Sequence, residues 1–169
     1  GTYTLANQNA GANAYNVAVG YEAGYDITTG IYNTLIGALA GANLTVGSYN
    51  VAVGESALSS EDAHGYNTAI GRRALSTLNA GANSYNVAVG YTAGDAMTTG
   101  LYNTLVGGRA GDVLTTGGYN VALGFDALGA EDAHGRNVAI GYSALAAQDA
   151  GADAYNVAVG YDAGVAVTT

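Results

Sequence analysis

A near-copy of Tyr-Asn-Val-Ala-Val-Gly returns along the whole chain at almost constant intervals, and this period constrains the fold more than any other feature. Its asparagine recurs with spacings of 17, 17, 17, 19, 17, 17, 17 and 19 residues. Three short units and one long unit form a block of 70 residues, so block 1 spans 15–84, block 2 spans 85–154, and partial blocks occupy 1–14 and 155–169. A fixed short period predicts one repetitive solenoid rather than a globular domain.

Each unit contains a short apolar run that ends in glycine, as in Asn-Val-Ala-Val-Gly or Asn-Thr-Leu-Ile-Gly. β-branched residues suit a pleated surface and glycine supplies the backbone angles of a sharp bend, so each run is predicted to be a β-strand that ends at a corner. The corner glycines are Gly20, Gly37, Gly54, Gly71, Gly90, Gly107, Gly124, Gly141 and Gly160.

Further along each unit lies a second apolar residue, usually followed by threonine and then glycine, which predicts a second strand and a turn. Two strands and two turns in 17–19 residues make one coil of an all-β, parallel β-solenoid (a β-roll), with coils about 4.8 Å apart. Nine coils would give a rod on the order of 45 Å long.

The asparagine of every unit falls at one position of the predicted coil. Stacked side-chain amides can bond to one another and to the backbone at a bend, so this column is predicted to be a structural ladder. Its members are Asn16, Asn33, Asn50, Asn67, Asn86, Asn103, Asn120, Asn137 and Asn156. The tyrosine before each asparagine, replaced once by Arg136, is interpreted as aromatic stacking over a corner rather than as a sugar-binding platform.

The strand pattern also predicts assembly. In Asn-Val-Ala-Val-Gly the alternating sets are Asn with Ala and Val with Val, so neither face of the strand is polar enough for water. One face can line the interior, and identical chains packed round an axis would cover the other, which predicts a homo-oligomer. End-to-end growth into a filament would follow from stacking of strand edges. Both ends of the chain fall inside repeats, so we expect it to be part of a longer protein.

The run Asn-Val-Ala-Ile-Gly at 137–141 and its relatives resemble the head repeats of YadA-like trimeric autotransporter adhesins. The form Asn-Thr-Ala-Ile-Gly-Arg-Arg-Ala-Leu at 67–75 is similar to repeats of bacteriophage tail-fibre-like proteins. The resemblance covers every unit, although the coils here are longer and the 70-residue block is added. It implies left-handed coils, intertwined or packed as a homotrimer, in an extracellular cell-surface or virion fibre.

Composition limits the partners. The formal charge is −9, with four Lys and Arg residues against 13 Asp and Glu, which opposes binding to nucleic acid or to an anionic membrane. The sequence has no apolar run long enough for a membrane span and no cysteine for disulfide or thiolate chemistry.

Both histidines lie in the sequence Glu-Asp-Ala-His-Gly, which occurs once per block. A solvated turn is the favoured interpretation, and the alternative is a metal-binding or pH-sensitive cluster. The residues of that alternative are Glu61, Asp62, His64, Glu131, Asp132 and His134. No set of nucleophile, base and orienting group stands apart from the repeat, so neither an enzyme nor a cofactor is predicted.

The sequence therefore predicts a structural fibre shaft or head with an adhesive or filament-forming role. The extra residues of the long units, within 79–84 and 149–154, would recur once per block as spaced sites for lateral packing or for a host-surface or glycan receptor. The alternative is a ligand-binding solenoid, either an ice-binding protein suggested by the Thr-Thr-Gly turns or a carbohydrate-binding protein.

Overall fold

Short strands at a regular interval make up the regular secondary structure of the chain. The computed structural model describes residues 1–11, 13–131, 133–149 and 151–168. Within those ranges it has nine strands of three residues and no helix, and so no helix that could cross a membrane. The strands are β1 (Val17–Val19), β2 (Thr34–Ile36), β3 (Val51–Val53), β4 (Thr68–Ile70), β5 (Val87–Val89), β6 (Thr104–Val106), β7 (Val121–Leu123), β8 (Val138–Ile140) and β9 (Val157–Val159).

The strands form one parallel sheet whose order, β1 to β9, is the order of the chain. Each strand pairs with the equivalent strand one unit later, as Val17 does with Thr34. The register passes unchanged across the long units, where Thr68 pairs with Val87. One unit is therefore one coil, numbered here by its strand, and the predicted all-β parallel β-solenoid is confirmed.

The rest of each coil differs from the prediction of a second strand. Residues two and four places after each corner glycine have left-handed backbone angles, with φ of 53° at Glu22 and 60° at Gly24. Such angles break an extended strand, and the segment is a series of turns. The coils still bond to one another there, because the Thr28 N–H donates to the Thr45 carbonyl at 2.8 Å. Each coil thus has one strand where the sequence predicted two.

The core is a row of inward side chains whose sizes compensate for one another. The central residue of a strand points inward, and it is buried Leu in coil 2 (Leu35) but buried Ala in coil 3 (Ala52). Four residues after the corner glycine the sizes reverse, with Gly41 in coil 2 and Leu58 in coil 3. A Cβ on Gly41 would lie 2.8 Å from a methyl of Leu35. Complementary packing thus makes neighbouring coils different, which supports a period longer than one coil.

The corner glycines bring the backbones of successive coils into contact. A Cβ added to Gly20 would lie 2.3 Å from the carbonyl oxygen of Gly37, and the same contact recurs between Gly90 and Gly107 at 2.2 Å. Gly20 and Gly90 also have φ of 143° and 146°, a region that favours glycine. Steric exclusion and backbone conformation therefore both require glycine at the corner.

Candidate functional site

The predicted asparagine ladder connects side chains to backbone rather than amide to amide. The Oδ1 of Asn16 accepts the backbone N–H of Asn33 at 2.8 Å, and the equivalent bond recurs at every step to Asn156. The Nδ2 of Asn33 donates to the carbonyl of Gly47 at 2.9 Å. Asn16 and Asn33 therefore each satisfy one backbone N–H before the next strand and one carbonyl at the turn that precedes it. Among the described residues, the Nδ2 atoms of Asn137 and Asn156 have no such partner.

Seven tyrosines, each two residues before a strand, form a continuous stack that runs from coil 1 to coil 7. Successive ring centroids lie 4.9–5.6 Å apart, close to the coil spacing, and the planes are nearly parallel. The tyrosine ladder comprises Tyr15, Tyr32, Tyr49, Tyr66, Tyr85, Tyr102 and Tyr119. Inside the ladder each ring covers its neighbour's face, so edges and hydroxyl groups are what the ladder presents to a partner.

In every coil four residues face away from the core: the first and third residues of the strand, the residue two places before the first, and the residue two places after the third. Together these residues form what we call the outward face. In coil 1 these are Tyr15, Val17, Val19 and Tyr21, of which Val17 is 50% exposed. Exposed apolar strand residues recur along this face at Ile36, Ile70, Leu123, Val157 and Val159. A single chain therefore covers only one side of its strands, and the covering of the other side by identical chains stays a prediction.

Charge on the outward face is sparse and internally balanced. Glu55 and Arg72 occupy adjacent coils at the position of Tyr21, and the Nε of Arg72 donates to a Glu55 carboxylate oxygen at 2.6 Å. Arg136, at the end of the tyrosine ladder, forms an ion pair with Asp153. Because these charges are paired within the chain, they leave the face close to neutral.

The interpretation of Glu-Asp-Ala-His-Gly as a solvated turn is wrong for its glutamate. Glu61 and Glu131 are 0% exposed, each seven residues after a corner glycine. That position is filled in other coils by Ile27, Leu44, Leu78, Met97 and Leu114, all buried. The sequence signal was available, since counting from the corner places both glutamates in an inward apolar column.

Backbone N–H groups explain how a carboxylate is held in that column. Glu61 accepts the N–H of His64 at 3.1 Å on one oxygen and that of Ala80 at 3.4 Å on the other. Ala80 belongs to the long coil 4, whose two extra residues change the contacts with coil 3. Burial raises the pKa of Glu61 above its ordinary value, and the two N–H groups and His64 partly offset that effect. The buried carboxylate is therefore a connection between a short coil and a long one.

The metal alternative has partial geometric support. One ligand atom from each of Glu61, Asp62 and His64 lies within 4.8 Å of the others, and the Nδ1 of His64 is 3.5 Å from a Glu61 oxygen. In block 2, His134 lies at the same 3.5 Å from Glu131, whereas Asp132 is outside the described residues. Both Glu61 oxygens already accept backbone N–H groups, and metal binding at these residues stays an untested alternative.

The threonine turns that suggested ice binding also have partners inside the solenoid. The hydroxyl of Thr28 donates to the Thr45 carbonyl at 3.1 Å, and that of Thr45 to the Asp62 carbonyl at 2.8 Å. Asp62 and Ala63 then interrupt the column in coil 3. These hydroxyls connect coil to coil and do not form an unbroken outward array.

The fold and its ladders define a class, the parallel β-solenoid repeat proteins. No protein-family model, curated protein or solved structure matches this chain. The resemblance of the repeats to trimeric adhesins and tail-fibre proteins is therefore still a sequence-based prediction.

Proposed function

We propose that this chain is a structural segment, shaft or head, of an extracellular fibre on a cell surface or a virion, with an adhesive or filament-forming role. The observation that carries the proposal is the outward face, a largely apolar and nearly neutral strip along the coils, in which Thr34, Thr68 and Thr104 are the polar strand residues. Exposed contiguous apolar surface of this kind marks an interaction site. A second and a third copy of the chain are the occupants proposed for it.

The size of the outward face fits a stable interface. Eight strand-to-strand steps at about 4.8 Å make it roughly 40 Å long, and seven residues make it roughly 20 Å wide. The product is on the order of 800 Å², about the area that one chain buries in a standard protein interface, and in a trimer it is divided between the two neighbouring copies. Repetition also favours like chains, because identical coils offer matching rows at the same spacing.

Rigidity supports the shaft role. Every coil is connected to the next by strand bonds, the asparagine ladder and close contact of corner glycines, as at Gly20 and Gly37. Stability in such an array comes from interfaces between neighbouring coils, so length can grow with coil number while the cross-section stays the same. A stiff spacer of adjustable length is the mechanical task that this arrangement suits.

Light scattering of the purified chain tests the assembly. The expected mass is three times the 16.7 kDa of one chain. Leu123→Glu, in the outward face, should dissociate the assembly, whereas Val46→Glu, at a similarly exposed valine outside that face, should leave it intact. A wild-type monomer, or equal dissociation by both variants, would contradict the proposal.

The long coils are proposed as lateral contact sites. A Cβ added to Gly81 would meet no atom within 4 Å, and the same holds for Gly151 in the second long coil, so both sites are open. Removing Gly81 and Ala82 together with Gly151 and Ala152 should preserve the mass in light scattering but change the bundling of rods seen by electron microscopy. Unchanged bundling would count against this role of the loops.

A further inference from the structure

The tyrosine ladder ends at Tyr119, and the next residue of the same column adjoins a hollow. Arg136 stands where the other coils have tyrosine, and its guanidinium carbon lies 5.6 Å from the ring centre of Tyr119 and 5.5 Å from that of Tyr155. A hollow of about 250 Å³ opens beside it. Its lining consists of Thr99, Leu101, Thr116, Gly118, Tyr119, Ala133, Arg136 and Asp153.

Replacement of a serine by glycine removes a side chain at this site. Gly118 occupies the position of Ser48 in block 1. There the Ser48 hydroxyl accepts the N–H of Ile31 at 3.1 Å and donates to the carbonyl of Val46 at 3.3 Å. Without that side chain, the space beside Leu101 is part of the hollow.

Two further replacements give the hollow a fixed pair of opposite charges. Arg136 replaces Tyr66, and Asp153 replaces Asn83. One Asp153 oxygen accepts the N–H of Gly135 at 2.9 Å, and the other pairs with the Arg136 guanidinium. The carboxylate is thereby anchored to the backbone and holds the arginine, which is also clamped between two rings.

The charges select the kind of ligand. Asp153 and the net charge of −9 oppose an anion, and Arg136 opposes a cation. A neutral molecule with several hydroxyl groups can donate to the Asp153 carboxylate and accept from the remaining Arg136 N–H groups. The side chains of Leu101 and Tyr119 add apolar contact. Thr99 adds a hydroxyl group, and the Thr116 hydroxyl, which donates to the Ala133 carbonyl at 3.3 Å, can still accept a hydrogen bond.

The geometry points to a binding site for one neutral sugar residue in this hollow. Its volume lies just below the 300–1,000 Å³ that is usual for drug-sized ligands, so a single ring matches it better than an oligosaccharide. The sugar hydroxyl groups bridge the Arg136–Asp153 pair, and the C–H face of the ring lies toward Leu101 and the edge of Tyr119. Every residue of the site belongs to one chain, but Tyr119 and Arg136 also lie on the outward face, so the inference requires the hollow to stay open at the rim of the proposed assembly.

Saturation-transfer NMR of the intact chain with glucose, galactose, mannose, fucose and N-acetylglucosamine tests the site. At least one of these sugars should bind, with a Kd on the order of 1 mM, as expected for a small open site. Gly118→Ser and Arg136→Tyr restore the block 1 side chains and should each weaken binding about tenfold or more. Ser48→Gly, the reverse change in block 1, should leave the Kd unchanged because Tyr66 and Asn83 remain there.

Three results would overturn the inference. The first is the absence of binding by all five neutral sugars to the folded wild-type chain. The second is equal binding by wild type and by both block 2 variants, with circular dichroism showing all three folded. The third is tighter binding of glucuronate or glucosamine than of glucose, which would mean that the site selects a charge.

Discussion

The two blocks solve the same hydrogen-bonding requirement with different residues. In block 1 the hydroxyl of Ser84 donates to the Oδ1 of Asn67 at 2.8 Å. In block 2 the corresponding oxygen of Asn137 accepts from the Nε2 of Gln148 at 3.1 Å, across a different part of the long coil. Each of these buried oxygens also accepts the backbone N–H of the next ladder asparagine at 3.1 Å, so Ser84 or Gln148 supplies a second donor to the same acceptor. The comparison teaches that each long coil requires a donor to the Oδ1 of its ladder asparagine and leaves open which residue supplies it.

Substitution of a corner glycine should destabilise the two blocks equally, and this is the largest effect that we expect. Gly20→Ala and Gly90→Ala each place a Cβ within 2.3 Å of a carbonyl oxygen and require a left-handed angle. Backbone strain and steric conflict together should lower the free energy of unfolding by about 2–6 kcal/mol in denaturant titrations. Gly81→Ala, at an open site with φ of 68°, should lose only about 1–2 kcal/mol. Losses that differ strongly between Gly20 and Gly90 would break the equivalence of the blocks.

Core complementarity should distinguish the blocks at the next level. Leu105→Ala should destabilise block 2 by about 2–5 kcal/mol through the cavity it leaves. Adding Gly111→Leu should recover part of that loss, because the three atoms nearest a Cβ on Gly111 all belong to Leu105.

The matched pair in block 1 is Leu35→Ala with Gly41→Leu. Recovery should be smaller there, since a methyl of Leu44 also lies 2.8 Å from a Cβ on Gly41. Thermal unfolding of the four variants measures the difference. Equal recovery in the two blocks would show that Leu44 yields without cost and would contradict the packing argument.

The exchange of hydrogen-bond donors can be tested by introducing the corresponding residues of block 1 into block 2. Gln148→Leu removes the donor to both Asn137 and Glu131 and should lower the free energy of unfolding by about 1–3 kcal/mol. Adding Ala154→Ser restores the hydroxyl that Ser84 supplies in block 1 and should return about 1 kcal/mol. A double variant no more stable than Gln148→Leu alone would mean that the donors of the two blocks are not interchangeable.

The smallest expected effect is the pH dependence of stability that arises from the buried Glu61 in block 1. Because burial raises the pKa of Glu61 in the folded chain, its stabilising contribution is full below the ordinary value of 4.5 and is lost as pH rises through the folded-state pKa. The stability of Glu61→Gln relative to wild type should therefore increase between pH 4.5 and neutrality. The slope cannot exceed about 1.4 kcal/mol per pH unit, the value for one proton. Denaturant titrations over this range measure it, and a relative stability that falls with pH would be the opposite of the expectation.

The periodic features were predictable from the sequence because each depends on position within the unit alone. The repeat of Asn16 and Gly20 at a fixed interval was enough to predict a coil, a corner and a parallel stack. The alternation around Ala18 also indicated that one strand face is inward. These features follow from backbone geometry, which is the same in every coil.

The rest depended on contacts that one unit does not reveal. The turns after each corner use left-handed angles at residues such as Glu22 and Leu58, whose types do not signal them. The inward position of Glu61 is visible in its phase, but the reason that a carboxylate is held there involves Ala80 of the next coil. The hollow at Arg136 requires three separate replacements to come together.

The contact between corner glycines also bears on how such a chain can change over generations. A side chain at Gly90 would collide with the backbone of the following coil at Gly107. Point mutations of the corner glycines are therefore destabilising. Duplication or loss of a whole block presents the same backbone surface above and below and creates no new contact. Genetic slippage by complete blocks is therefore the variation that this architecture tolerates best, and length is the property most open to selection.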